Sequence, residues 1–128
     1  MPPSEEQMKQ ALEAYVAGLN ARDAEAVLAL FAPDAVIEDP VGSPPKSGEA
    51  LQAFFRGAVL VEPHLEIVAP IRASHGRSAA MAFTVETRRK NGRFKTNSID
   101  VVHFDERGRI TRIEGYWGPG DRSRIGDA

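Results

Sequence analysis

The hydrophobic period of the chain changes near residue 60, and this change restricts the fold more than any other feature of its 128 residues. Before it, apolar residues recur at three- and four-residue steps, which is typical of amphipathic helices. After it come four runs of β-forming sequence, at residues 64–73, 78–89, 93–104 and 109–117. Helices followed by strands predict an α+β domain.

Two helices are predicted in the first third of the chain. Ser4 with Gln7 forms a capping-box pattern, which indicates where the first helix begins. Asp23 is a good N-cap for a second helix, which extends through Phe31 and stops before Pro33. The apolar face of the first helix consists of Met8, Leu12, Tyr15, Val16 and Leu19.

The rest of the chain predicts one more helix and a meander of strands. Residues 35–39 predict a short strand, residues 41–47 a loop, and residues 48–59 a third helix. The four later runs are separated by hairpin-like turns at 74–76, 90–92 and 105–108. We therefore expect three N-terminal helices packed in a curved, mostly antiparallel sheet that encloses an apolar pocket.

Length and composition limit the number of domains and the class of ligand. At this length one domain with one core is expected; it spans residues 1–118, and the Gly-, Asp- and Arg-rich residues 119–128 predict a flexible tail. A net charge of −2 gives no electrostatic footprint for nucleic acid. No stretch approaches the roughly 20 apolar residues of a spanning helix, so we expect a cytoplasmic protein that does not bind membranes.

Several kinds of catalytic site find no support in the sequence. The absence of cysteine excludes disulfides and thiolate metal sites, and the three histidines lack the spacing of metal ligands. The glycines match no phosphate-binding fingerprint, and no serine lies in a nucleophile motif. No metal or cofactor is expected.

Three polar residues stand where the pattern predicts burial. Tyr15 lies on the apolar face of the first helix, and Asp39 closes an apolar strand. Taken alone, each is more often structural, the tyrosine as a core aromatic and the aspartate as part of a turn. Asp100 is more informative, because alternation places it on the buried strand face with Val102 and Phe104, where aspartate is rare.

These residues belong to a larger set that resembles the bacterial ketosteroid isomerases, also called steroid delta-isomerases. The resemblance spans nearly the whole chain, and it is the ordered combination that is specific. The set consists of Tyr15, residues 37–45, 71–75, 82–85, 99–100 and 104–110, and Tyr116 with Trp117. The resemblance implies the cone-like fold of the nuclear transport factor 2 superfamily, a steroid substrate, and a homodimer formed through the outer face of the sheet.

The resemblance also implies roles for individual residues. Asp39 corresponds to the catalytic base, and Tyr15 and Asp100 to the two donors of an oxyanion hole. Phe31 and Phe55 stand where relatives can carry tyrosines that extend the network behind the catalytic tyrosine. The residues expected to line the steroid pocket are Met81, Phe83, Ile113, Trp117 and Phe55, and the Trp117 indole is expected to support the base.

Two other kinds of protein can be built on the same pocket. A cyclase, dehydratase or epoxide hydrolase would need a different polar set, such as a His–Asp pair or an Asp–Arg–Asp array, which the sequence pattern does not assemble. A non-catalytic module would hold a hydrophobic ligand in the apolar pocket and would require no oxyanion hole.

Overall fold

The sheet encloses the helices in a computed structural model that describes residues 2–128. The first part of the chain contains α1 (Glu5–Asn20), α2 (Ala24–Leu28), β1 (Phe31–Glu38), β2 (Lys46–Ser47) and α3 (Gly48–Ala58). The second part contains β3 (His64–Ile67), β4 (Arg72–Ala73), β5 (Ser78–Arg89), β6 (Gly92–Phe104), β7 (Ile110–Tyr116) and β8 (Arg122–Gly126). Short 3₁₀ turns follow α3 and precede β8. The predicted α+β class is confirmed.

The helix starts follow from local capping. The Ser4 hydroxyl accepts a hydrogen bond from the Gln7 amide at 3.1 Å, and the Gln7 side chain accepts one from the Ser4 amide at 2.8 Å, so the predicted capping box is present. Asp23 accepts a hydrogen bond from the Ala26 amide at 3.1 Å and caps α2. These bonds satisfy amide groups that a helix start leaves without partners.

The sheet has the strand order β2-β1-β7-β6-β5-β3, with β4 added to β5 and β8 to β6. Every pairing is antiparallel except that of β1 with β7. The β5–β6 hairpin is the longest, and its register places Met81 opposite Asp100 and Val85 opposite Thr96. The inner face of the sheet packs against α1 and α3 around one hydrophobic core.

Two predicted boundaries are wrong because pairing with distant strands overrides the local pattern. The second helix was predicted to reach Phe31, but it ends at Leu28 and Phe31 begins β1. There Phe31 pairs with Ile110 of β7, whose amide bonds the Leu30 carbonyl at 2.9 Å. The run 64–73 is divided into β3 and β4 around Pro70, which lacks the N–H that a continuous ladder needs.

The C-terminal residues do not match the flexible tail predicted for 119–128. Arg122–Gly126 forms β8, which pairs with the first half of β6 and places Arg122 opposite Thr96. The turn before it is held by a 2.8 Å hydrogen bond from the Gly118 amide to the Asp121 carboxylate. Across residues 2–128, none of the helices has the length and apolar character needed to cross a membrane.

Candidate active site

A cavity of about 310 Å³ lies between the helices and the inner face of the sheet. The three polar residues singled out in the sequence all line it: Tyr15 from α1, Asp39 from the end of β1, and Asp100 from the middle of β6. Most of the remaining wall is apolar, with Phe54 and Phe55 from α3 opposite Phe83 and Val85 from β5.

Asp100 points into the cavity as the strand alternation predicted. Its residue is only 3% exposed, and Val102 and Phe104 lie buried on the same strand face. Burial, followed by repulsion from the Asp39 carboxylate, raises the pKa of Asp100 well above its ordinary value. The buried carboxyl therefore favours its protonated form, in which it can donate a hydrogen bond.

Asp39 has surroundings that favour ionisation more strongly. Burial is the largest effect and raises the pKa of Asp39 above its ordinary value, and the Trp117 hydrogen bond and the positive charges of Lys46 and Arg122 offset part of this rise. Trp117 Nε1 donates to Asp39 Oδ1 at 2.7 Å, which fixes the orientation of the carboxylate. The neighbouring Glu38 instead accepts hydrogen bonds from the Gly42 amide and from Arg112 and does not line the cavity.

Tyr15 is enclosed by aromatic rings. Phe55 meets it edge-on at a centroid distance of 5.9 Å, and Phe31 lies at 6.5 Å. Burial first, then the charges of Asp100 and Asp39, raises the pKa of Tyr15 well above its ordinary value. The phenol therefore stays protonated, and the two phenylalanines give it no hydrogen bond.

Tyr15 and Asp100 keep their polar groups available to a ligand. In the part of the chain that the structure describes, neither the Tyr15 hydroxyl nor the Asp100 carboxyl takes part in a protein hydrogen bond. Neither is sealed in the interior without a partner, since residues 2–128 contain no such buried polar atom. Both groups can therefore contact a molecule bound in the cavity.

The structure places the predicted lining residues in two groups. Phe55, Phe83 and Trp117 do line the cavity. Met81 and Ile113 do not; both are fully buried in the core, so the prediction that they line the pocket is wrong. The β5 residues that face the cavity begin at Phe83 and continue toward the β5–β6 hairpin, which leaves Met81 on the closed side of the site.

Sequence reasoning missed the polar residues of the cavity beyond Asp100. Thr96 and Ser98 line it from the same face of β6, and Arg122 reaches it from β8. Alternation along β6 could have revealed Thr96 and Ser98, because residues 96, 98 and 100 share one face. Arg122 could not be found in this way, because its position depends on pairing between β8 and β6.

Gly115 of β7 lies directly beside both carboxyl groups. It pairs with Asp100 in the sheet, and a Cβ atom added to it would lie 2.8 Å from Asp39 Cγ and 3.3 Å from Asp100 Oδ1. The first of these distances is too short for a real contact, so a side chain here would displace the Asp39 carboxylate. The missing side chain therefore creates the space in which the two acids meet.

We predict that Gly115→Ala lowers turnover by about 100-fold, because a carboxylate displaced by about 1 Å can cost that much in rate. The matched control is Gly120→Ala, since nothing lies within 4 Å of a Cβ there. Steady-state kinetics and urea unfolding of both variants would check this result. Native turnover in a folded Gly115→Ala protein would contradict the close packing of Asp39 on Gly115.

The raised pKa of Asp100 also predicts how stability depends on pH. Above about pH 4 an unfolded aspartate loses its proton, whereas folded Asp100 keeps it, so this residue lowers the free energy of unfolding by about 1.4 kcal/mol per pH unit. The loss ends when pH passes the raised folded pKa. Asp100→Asn should therefore flatten the decline of the free energy of unfolding that begins above about pH 4, measured by urea unfolding over a range of pH; an unchanged slope would argue against a protonated Asp100.

The structure offers no evident metal site. Within residues 2–128, no three His, Cys, Asp or Glu side chains converge in a way that could hold a metal ion. The groups that remain for chemistry all line one cavity: two carboxyls, of which Asp100 more strongly favours its protonated form, a phenol, an indole and the guanidiniums of Arg89 and Arg122. Together they define an α+β pocket protein equipped for proton transfer.

Comparison with known proteins identifies the family. Residues 12–113 match the SnoaL-like domain family. The chain is 36% identical over 116 residues to the steroid Delta-isomerase of Nocardioides simplex, a match that covers 90% of this chain and 93% of that protein. The chain belongs to the SnoaL-like domain family and is a ketosteroid isomerase-like member of the nuclear transport factor 2 superfamily.

Two other similar proteins are described as epoxide hydrolases or epoxide hydrolase/cyclase-like enzymes. The chain is 34% identical over 130 residues to the epoxide hydrolase LasB of Streptomyces lasalocidi, and it spans 45% of that longer protein. It also resembles the solved structure of SalBIII, an epoxide hydrolase/cyclase-like enzyme in pyran ring formation in the polyether salinomycin. That match has a TM-score of 0.87 at 28% identity and covers 94% of this chain and 97% of SalBIII. The protein is thus a pocket enzyme of this superfamily.

Proposed function

We propose that the protein isomerises a 3-oxo-Δ5 steroid to its conjugated Δ4 isomer. The observation that carries the proposal is the pairing of two unlike carboxyls beside Gly115, with the Tyr15 hydroxyl and Asp100 open to the same cavity. A carboxylate, a protonated acid and a phenol are the groups that this proton transfer requires.

Asp39 would move the proton. Its carboxylate takes a proton from the carbon between the ketone and the double bond, and the C–H electron pair becomes a new carbon–carbon double bond while the carbonyl oxygen becomes negative. Asp39 then returns the proton to the far carbon of the original double bond. The carbonyl reforms and the double bond lies in conjugation with it, so no proton or electron is gained or lost.

Tyr15 and protonated Asp100 would stabilise the intermediate. Both can donate to the oxygen on which the negative charge collects, and such donors are most effective in a site from which water is excluded. Burial of both residues supports this role. The ketone end of the steroid would then lie deep in the cavity, between α1 and the middle of β6.

A second candidate function is opening of an epoxide, by water or by a hydroxyl of the same molecule. Asp39, Arg122 and Asp100 line one cavity, which is an Asp–Arg–Asp set that the sequence pattern did not assemble. Asp39 would take the proton of the attacking oxygen as that oxygen bonds to an epoxide carbon, the bond from this carbon to the epoxide oxygen would break, and protonated Asp100 would supply a proton to the departing oxygen. The similarity to LasB and SalBIII supports this candidate.

One pair of assays separates the two candidates. Conversion of 5-androstene-3,17-dione is followed by the ultraviolet absorbance of the conjugated ketone, and an epoxy-alcohol of similar size is followed by mass spectrometry. Rapid formation of the enone supports the isomerase. Opening of the epoxide by folded protein that leaves the dione unchanged would replace the first proposal with the second.

We also propose that two copies associate through the outer face of the sheet. Ile99 of β6 and Tyr116 of β7 pair across that face and are each about half exposed, at 48% and 50%. Adjacent exposed apolar residues of this size favour association. Sedimentation equilibrium would test the proposal, and a monomer at micromolar concentration would contradict it.

A further inference from the structure

We infer that Arg122 forms an anion-binding subsite, so that the substrate carries a carboxylate at the end opposite its ketone. The inference deepens the proposed isomerase and rests on it for the position of the ketone. Its basis is the geometry of one guanidinium group, the lack of an anion beside it, and its distance from Asp100.

The guanidinium of Arg122 is fixed in the cavity wall by two contacts. Its Nε donates to the Thr96 hydroxyl at 2.9 Å, and its Cζ lies 4.4 Å from the centre of the Trp117 ring. Its two Nη atoms take part in no hydrogen bond or ion pair with residues 2–128. A guanidinium held by Nε and by its face presents its remaining edge to the cavity, where it matches the two oxygens of a carboxylate.

Among residues 2–128, no anionic side chain lies within ion-pair distance of Arg122. Arg89, which also lines the cavity and is not part of an ion pair among the described residues, lowers the pKa of Arg122 after burial. Asp39 is the acidic group that acts on Arg122 from a distance, but it is not within ion-pair range and is bonded to Trp117. Arg124 on the same strand, by contrast, pairs with Asp127 at 3.0 Å.

A partly buried cation with a second cation nearby favours an anionic ligand. Removing a charge from water costs free energy unless an opposite charge compensates. A carboxylate at the Arg122 edge would compensate its charge, whereas a neutral steroid would leave it unmatched; Arg89 is exposed and remains solvated in either case. The remaining cation near Asp39, Lys46, packs over Phe54 at 5.6 Å from the ring centre.

The register of β6 gives the distance between the two ends of the site. Arg122 is hydrogen-bonded to Thr96, which lies four residues before Asp100 on the same face of β6. At about 3.3 Å per residue, the backbone positions of Thr96 and Asp100 are roughly 13 Å apart. A fused-ring skeleton whose ketone lies at Asp100 would extend along Ser98 toward Thr96. A carboxylate attached to its far ring would then reach Arg122.

Equilibrium binding of a matched ligand pair tests the inference. Trp117 is the single tryptophan of the chain and lines the cavity, so its fluorescence reports binding directly. The ligands are 3-oxo-4-androstene-17β-carboxylate and its methyl ester, which differ only in charge and one methyl group. We expect the native protein to bind the acid about tenfold more tightly than the ester, the order expected for one charge-assisted contact.

Variants of Arg122 and Arg124 test whether the preference for the acid over the ester arises from Arg122. Arg122→Gln should reduce the acid-to-ester ratio of affinities to about one, and Arg122→Lys should retain part of it. Arg124→Gln, which removes the same charge from the same strand outside the cavity, should keep the native ratio. Because a ratio is measured within each variant, a general change in the pocket cancels.

Each outcome bears on one proposal. Equal affinities in the native protein, no binding of the acid, or a preference that survives in Arg122→Gln would overturn the subsite. Turnover of the neutral 5-androstene-3,17-dione with equal affinities would leave the isomerase standing and remove the subsite alone. An acid preference that depends on Arg122, without turnover of the dione, would retain the subsite and remove the isomerase.

Discussion

Asp39→Asn is expected to lower the turnover of 5-androstene-3,17-dione by about 10⁴-fold, the upper range for loss of one general acid–base group. The reason is that a single carboxylate moves the proton twice, and an amide can do neither step. The side chain keeps its size, and its carbonyl oxygen can still accept the 2.7 Å hydrogen bond from Trp117. Steady-state rates followed by enone absorbance would measure the loss.

The neighbouring carboxylate provides the control for this experiment. Glu38 bonds Arg112 at 2.8 Å and the Gly42 amide at 2.8 Å and does not line the cavity. Glu38→Gln should therefore leave turnover within a few-fold of native, while both variants should bind the 17β-carboxylate ester with similar affinity. Asp39→Asn with native turnover would remove Asp39 as the base.

Asp100→Leu is expected to lower turnover by about 10²- to 10³-fold, as loss of one oxyanion donor does in other enzymes. Leucine is larger than aspartate and apolar, and it cannot donate to the negative oxygen. Asp100→Asn should lose much less, because its amide keeps an N–H donor without requiring a raised pKa. The comparison of Leu with Asn therefore measures donation rather than charge.

Stability measurements would show whether the loss of turnover in Asp100→Leu arises from misfolding. Asp100 lies on the buried strand face of Val102 and Phe104 and opens into the cavity, so leucine should leave the protein folded, and it removes the cost of keeping a buried carboxyl protonated while the unfolded aspartate is ionised. Urea unfolding of both variants would establish this. Full activity in folded Asp100→Leu would remove Asp100 from the oxyanion hole, and equal losses in the two variants would show that donation is not its role.

The parts of the fold that could be predicted from the sequence are those set by nearby residues. The capping box at Ser4 and the inward direction of Asp100 depend on spacing of a few residues, and both are present in the structure. Tyr15 and Asp39 were individually ambiguous. Only their order relative to Asp100 in the family resemblance brought them together, and the cavity does contain all three.

The predictions that were wrong concern features that depend on residues distant in the chain. The early end of α2 follows from parallel pairing of β1 with β7, and the ordered β8 follows from its pairing with β6. Local composition cannot encode either pairing. Met81 and Ile113 were assigned to the pocket lining because of their positions in the family. Both face inward, but the core fills that end of the cone, so neither reaches the cavity.

The contact between Arg122 and Trp117 couples the choice of ligand to the pKa of the base, two properties that would otherwise change independently. One face of the indole lies against the guanidinium, while its N–H holds the carboxylate of Asp39. Arg122 also lowers the pKa of Asp39, so a mutation that replaced it to admit a different ligand would make the base stronger and less ionised in the same step. A change at Arg122 that alters substrate specificity would thus also shift the pH range over which the protein is active.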